Sequence, residues 1–224
     1  MSRGGPRFQL LVIAGQDGKC VGDCPFSQRA NMFSKLVLNP EDIDVTPVST
    51  VDKPGWFLKL YPDGKVPVLI DRTERNKIVP DSEEIVKYLS TLFSKPELVP
   101  SGFEGIPTAF FPKFAALMKN KDKDKDHQLR VELTAELGKL NSYIESRNSS
   151  TEYLMCDKLT EADCQVLPKL RHVQVAGRHY KNYEIPGEFS ALNAYIKCGE
   201  ESLVFRQTCP ADEEFIWGWS KFFL

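Results

Sequence analysis

Gly22-Asp23-Cys24-Pro25-Phe26-Ser27-Gln28-Arg29 joins an apolar run, residues 8–14 (FQLLVIA), to a stretch in which Phe26, Ala30, Met32, Phe33, Leu36 and Val37 recur at near-helical spacing. The first has the length of a buried strand and the second the pattern of a helix. The octapeptide is therefore read as a strand-to-helix turn. Proline is favoured at the first helical position, where its missing N–H would lack a partner anyway, so Pro25 starts the helix and Cys24 caps it. The free amides of a first helical turn, at the positive end of the dipole, favour a thiolate. An ordinary thiol, with a pKa of about 8.5, is barely ionised at neutral pH, whereas helix N-termini can lower that value to roughly 3.5–7.5. Cys24 is thus the candidate nucleophile. Ser27 stands where a dithiol motif would carry its second cysteine, so an external thiol has to resolve any adduct on Cys24.

The chain has 224 residues, and two modest domains are expected. Lys and Arg number 29 against 31 Asp and Glu, leaving no global field that would draw in nucleic acid or an anionic membrane. The 6 cysteines, at 20, 24, 156, 164, 198 and 209, lack the spacing of a disulfide framework, and a reducing, cytoplasmic compartment is expected. The apolar run in the opening MSRGGPRFQLLVIAG is too short for a secretory leader. No later segment offers the roughly 20 uninterrupted apolar residues of a spanning helix, so no stable membrane insertion is expected. His127, His172, His179 and the scattered cysteines make no metal-ligand spacing, and no metal is expected.

Residues 1–93 alternate strand and helix signals, the pattern of an α/β domain. Strands are expected at 8–14, 43–48, 66–70 and 77–79, and helices at 25–38, 54–60 and 81–93. The last carries Ile85, Val86, Leu89, Leu92 and Phe93 on its apolar face. The resulting order, βαβαββα, is that of a thioredoxin-like domain. Residues 94–106, rich in Pro and Gly, read as a linker. From 107 to 224 the pattern is all helical, with helices expected at 108–119, 128–147, 160–178 and 187–197 and short ones within 200–217. The alternating charges of residues 120–127 (NKDKDKDH) read as a solvated loop. Thr160 and Asp163 have the spacing of a reciprocal helix cap, a role in folding rather than chemistry.

The run GDCPFSQR resembles the catalytic motif of the glutathione-dependent dehydroascorbate reductases of plants and algae, within the glutathione transferase superfamily. Chloride intracellular channel-like proteins have a similar motif. The resemblance continues through KPGWFLKL (53–60), GKVPVL (64–69), VPDSEEI (79–85), LTEADCQVLPKLRHVQVAGRHYKNYEIP (159–186) and IWGW (216–219), covering nearly the whole chain. It implies a glutathione transferase fold and an enzyme that reduces dehydroascorbate to ascorbate while two glutathiones become glutathione disulfide, recycling an antioxidant. Glutathione is then a co-substrate, with no permanently bound cofactor. In this reading Cys24 attacks a carbonyl of dehydroascorbate, and release of ascorbate leaves an oxidised cysteine that one glutathione captures as a mixed disulfide.

By the same resemblance Val66, before a cis Pro67, pairs with the cysteinyl part of glutathione, Asp81 and Ser82 hold its γ-glutamyl end, and Lys53 faces its glycine carboxylate. Asp23, His172 and Trp219 border the dehydroascorbate pocket. Many of these reductases carry a lysine at the end of the first strand, where this chain has Ile13; Arg29, Lys19 or another residue is expected to replace it. Cys20 reads as an incidental loop thiol, although a reversible disulfide with Cys24 is an alternative. Transferase relatives are mostly dimers whereas dehydroascorbate reductases are commonly monomeric, and a monomer is expected. The alternatives are a glutaredoxin-like or omega-class thiol transferase and, less favoured, a chloride intracellular channel-like protein.

Overall fold

The computed structural model describes residues 5–147 and 152–223. The first residues of the leader-like opening and the two outer domain limits lie outside them. The elements β1 (Phe8–Ile13), α1 (Pro25–Val37), β2 (Ile43–Val48), α2 (Gly55–Leu60), β3 (Val68–Asp71), β4 (Lys77–Pro80) and α3 (Ser82–Leu92) follow in the order βαβαββα. The sheet runs β2-β1-β3-β4, with β1 parallel to β2 and β3 antiparallel to both β1 and β4.

The sheet position of β1 explains its uninterrupted apolar run. As an inner strand it is covered on both faces. Phe8, Leu10 and Val12 join the large core that includes Phe33 of α1 and Leu89 of α3, while Leu11 packs with Val48, Phe57, Val68 and Ile70 on the α2 side. The large core continues without a break into the helical part: α4 (Phe110–Lys119), α5 (Lys123–Glu145), α6 (Glu161–His172), α7 (Arg178–Lys181), α8 (Ser190–Glu201), α9 (Leu203–Arg206) and α10 (Asp212–Ser220). The chain therefore has a thioredoxin-like N-terminal part and a helical C-terminal part, the glutathione transferase fold.

Three expectations need correction. The charged run at 120–127 is not all loop, because α5 begins at Lys123 and the Asp122 carboxylate accepts the Asp124 N–H at 3.1 Å. Asp is a strong N-cap and acidic residues suit a first turn, so alternating charges here mark a helix start. Leu92, placed on the apolar face of α3, is 39% exposed, since that helix ends as it leaves the sheet. The long helix expected over 160–178 is three pieces. α6 stops at His172, Val173–Gly177 widens into a π-helical turn, and α7 resumes at Arg178. Such turns often occur at functional sites, and His172 immediately precedes this one.

Candidate active site

Cys24 caps α1 with Pro25 at the first helical position. The turn before it is pinned by Gly22, whose N–H donates to the Ile13 carbonyl at 2.8 Å. A Cβ on residue 22 would lie 2.6 Å from the Ala14 carbonyl oxygen, so only glycine lets the chain pass this close to β1. The Ser27 Oγ accepts the Ile13 N–H at 3.2 Å, which leaves its own hydrogen to donate to the Cys24 sulfur.

The thiol is subject to opposing influences. Burial pushes it up from the ordinary value, the Ser27 amide, the Ser27 hydroxyl and the Phe26 amide pull it down, and the Asp23 charge pushes it up again. Burial prevails, which corrects the expectation of a thiolate based on the helix start alone. The loss of hydration outweighs the first-turn donors. Two substitutions should therefore move the pH midpoint of Cys24 alkylation by iodoacetamide in opposite senses. Ser27→Ala removes a donor to the sulfur and raises it, whereas Asp23→Asn removes a neighbouring negative charge and lowers it. Shifts of the same sign would contradict this balance.

Two cavities meet at α1. The first, about 320 Å³, is lined by Phe26, Tyr61, Lys65, Val66, Pro67 and Asp81, among others. The Val66–Pro67 peptide is cis, and the Pro67 carbonyl accepts the Asp81 N–H at 3.2 Å, tying that loop to the start of α3. Asp81 has φ 65° and ψ 145°, a backbone region that costs a non-glycine residue roughly 1–3 kcal/mol. Its Oδ1 caps α3 by accepting the Glu83 N–H at 2.8 Å. Asp81 is exposed at the cavity edge, while Ser82 is buried behind it with its Oγ 3.5 Å from an Arg29 nitrogen. Lys53 does not line this cavity; it packs over Gly64, where a Cβ would lie 3.0 Å from its Nζ. Tyr61 and Lys65 are additional lining residues. Lys65 immediately precedes Val66, so its proximity was readable from the chain.

The second cavity, about 310 Å³, contains Cys24 together with Asp23, His172 and Trp219, and is also lined by Lys119 and Lys221. The Trp219 indole N–H donates to His172 Nδ1 at 2.9 Å. Burial, weakly opposed by an Asp23 main-chain contact, pushes the imidazole down to about 3, so it is neutral at neutral pH. With Nδ1 accepting, the proton sits on Nε2, and this buried N–H has no partner among the described residues. It is a donor without an acceptor on a ring that borders the cavity. The approach of His172 Nδ1 to Asp23 Oδ2 at 4.0 Å is consequently not an ion pair. Asp23 fills the space beside Gly218, where a Cβ would fall 2.2 Å from its Oδ2. Burial pushes its carboxyl up to about 6, against the pull of Lys221.

Neither named replacement for the missing lysine reaches this cavity. Arg29 is buried in an ion pair with Glu161 of α6, and Lys19 is absent from the lining. Ile13 does line it. Cys20 donates to Glu214 Oε1 at 3.3 Å, and the carboxylate of Asp17, with burial and Glu214, pushes its thiol up to about 11. All 6 cysteines are free. Among the described residues no helix is long and apolar enough to cross a membrane.

Residues 23–92 match the family described as the N-terminal domain of glutathione S-transferase. Among solved structures the chain is similar to the dehydroascorbate reductase of Chlamydomonas reinhardtii, with a TM-score of 0.85 and 25% identity over 98% of this chain and 100% of that one. It is also similar in fold to the CLIC homologue EXC-4 from C. elegans (TM-score 0.83, 21% identity, 97% of this chain and 86% of that one). Glutathione transferase Omega 3C from Trametes versicolor shares the fold as well (TM-score 0.77, 16% identity, 99% and 92%). Residues 23–92 thus match a glutathione S-transferase N-terminal domain, and the chain shares the glutathione transferase fold over almost its whole length.

Proposed function

We propose that this protein reduces dehydroascorbate to ascorbate with glutathione, through Cys24. One observation carries the reading: the candidate nucleophile lies in a small, largely apolar cavity beside a histidine whose Nε2–H has no partner among the described residues, and α1 abuts a second cavity edged by Val66, Pro67 and Asp81. The similarity to the Chlamydomonas reductase supports the choice of substrate. Residues 1–93 would be the glutathione-binding unit, 94–106 the linker and 107–224 the unit that completes the substrate pocket.

In this mechanism Val66 offers its backbone to the cysteinyl part of glutathione, Asp81 and Ser82 hold the γ-glutamyl end, and Lys65 in the cavity wall, with Lys53 reaching in from over Gly64, serves the glycine carboxylate. The first cavity thus brings the glutathione sulfur to Cys24, making exchange effectively intramolecular. The Cys24 thiol gives up its proton to solvent, the thiolate adds to a carbonyl carbon of dehydroascorbate, and the carbonyl oxygen, hydrogen-bonded by His172 Nε2–H, takes up a proton. Asp23, titrating near 6, is suited to proton exchange at neutral pH. Water then bonds to the sulfur as the carbon–sulfur bond breaks. Its electron pair stays with carbon, ascorbate leaves as the monoanion with release of a proton, and Cys24 is left as the sulfenic acid. One glutathione thiolate displaces the sulfenic oxygen, which leaves with a proton as water, forming the mixed disulfide. A second attacks the glutathione sulfur, releasing glutathione disulfide and the Cys24 thiolate.

A single-turnover experiment tests this sequence. Reduced protein mixed with dehydroascorbate alone should release one ascorbate per Cys24 and leave a sulfenic acid that dimedone traps. Glutathione added instead of dimedone should give the mixed disulfide at Cys24. Absence of both ascorbate and trapped cysteine would overturn the reading.

A further inference from the structure

We propose that Lys119 and Lys221 are the cations of the substrate cavity, in place of a lysine from the first strand, and that they hold the negative charge that develops on the substrate. The inference deepens the reduction proposed above and rests on it for the identity of that substrate. Lys119 ends α4, and Lys221 follows α10. Two distant segments thus bring both into the cavity that holds Cys24 and Ile13. Their Nζ atoms each lie 5.4 Å from the centroid of the Phe222 ring, which also lines the cavity. Phe222 in turn is anchored by its carbonyl, which accepts from Lys121 Nζ. A cation–π contact with this one ring draws both ammonium groups toward the cavity wall.

Apart from the pull of Lys221 on the Asp23 carboxyl, their charges are uncommitted. Neither forms an ion pair among the described residues, while Lys113, Lys139 and Lys181, also in the helical part, all do. Asp23 is the one acidic side chain lining the cavity among the described residues, and His172 is neutral there. With Asp23 ionised, two cations face one anion, so the cavity retains a net positive charge. The chemistry calls for that excess. Addition of the thiolate places negative charge on a carbonyl oxygen, and breaking the carbon–sulfur bond leaves the electron pair in an enediolate that departs as a monoanion. A positive field strengthens as this charge forms and favours the transition state over the neutral substrate. The sec-butyl side chain of Ile13, at the end of β1, is an apolar part of the lining, and charge enters from the helical side instead.

The test uses charge probes on the full chain, so its result does not depend on which substrate is reduced. Iodoacetate, an anion, and iodoacetamide, its neutral counterpart, are each reacted with the reduced protein, and modification is read at the Cys24 peptide by mass spectrometry. The ratio of the two rates should fall about tenfold in Lys119→Gln/Lys221→Gln, stay near the wild-type value in Lys119→Arg/Lys221→Arg, and fall with added salt in the wild type. A ratio unchanged by the Gln pair, or lost equally in the Arg pair, would overturn the assignment. Dehydroascorbate turnover is measured alongside. A fallen ratio in a protein whose wild type forms no ascorbate upholds the cations and sinks the substrate; robust wild-type turnover with an unchanged ratio does the reverse.

Discussion

Asp163→Ala is expected to destabilise the fold by about 3–5 kcal/mol, the largest loss of stability from any one side chain considered. Asp163 is fully buried near the start of α6. Its Oδ2 accepts the Thr160 N–H at 2.8 Å and the Thr160 hydroxyl at 3.0 Å, and its Oδ1 accepts the Leu154 N–H at 2.9 Å and the Tyr195 hydroxyl at 3.1 Å. One carboxylate thus ties the helix start to the preceding loop and to α8. Alanine would strand these donors in a dry core, and each buried unsatisfied group costs about 1–3 kcal/mol. Burial also pushes the Asp163 carboxyl upward against the pull of those donors, so part of the gross gain is already offset. Asp163→Asn should cost less, because it keeps one acceptor oxygen. Denaturant unfolding of the three proteins checks the order; a loss below about 1 kcal/mol for the alanine variant would contradict it.

Cys24→Ser is expected to lower glutathione-dependent turnover by at least about 10³-fold while leaving the protein folded. Serine preserves the size and the cap position at α1, but its hydroxyl stays protonated near neutral pH and cannot form a mixed disulfide with glutathione. The other five cysteines offer no substitute route. Cys20 is held protonated by its acidic neighbours, and Cys164 is buried outright, with its thiol driven well up. Only Cys24 lines the cavity that also holds His172, Asp23 and the two lysines. Mass spectrometry after treatment with glutathione disulfide should find the adduct at Cys24 in the wild type and no adduct in that cavity in the variant. Retained turnover would move the nucleophile elsewhere.

What the chain disclosed in advance was local chemistry. Pro25 after an apolar run marked the start of α1, and Thr160 with Asp163 marked the start of α6, because caps act through residues three or four apart. The βαβαββα order followed from runs that are each a few residues long. The substrate cavity was less legible because it is a tertiary object. Lys119 and Lys221 carry no motif, and both come near Phe222 only once α4 and α10 have packed. The Trp219 bond that fixes the His172 tautomer also spans the fold. Arg29 looked available in the sequence, yet its partner Glu161 lies on another helix. The Cys24 thiol shows the same limit: its first-turn donors could be anticipated from Pro25, whereas the burial that outweighs them depends on how α4, α6 and α10 close over the site. At the start of α5, a capping Asp was hidden by the charged residues around it, because alternating charge resembles a solvated loop until Asp122 is seen accepting from Asp124.

The most direct test of the account is the rate of ascorbate formation from dehydroascorbate and glutathione, followed in the ultraviolet for the wild type and for Cys24→Ser and corrected for the uncatalysed reaction. The account predicts rapid wild-type turnover with ping-pong dependence on the two substrates, and a variant indistinguishable from background. A wild-type rate no greater than background, in protein that still binds glutathione, would contradict it.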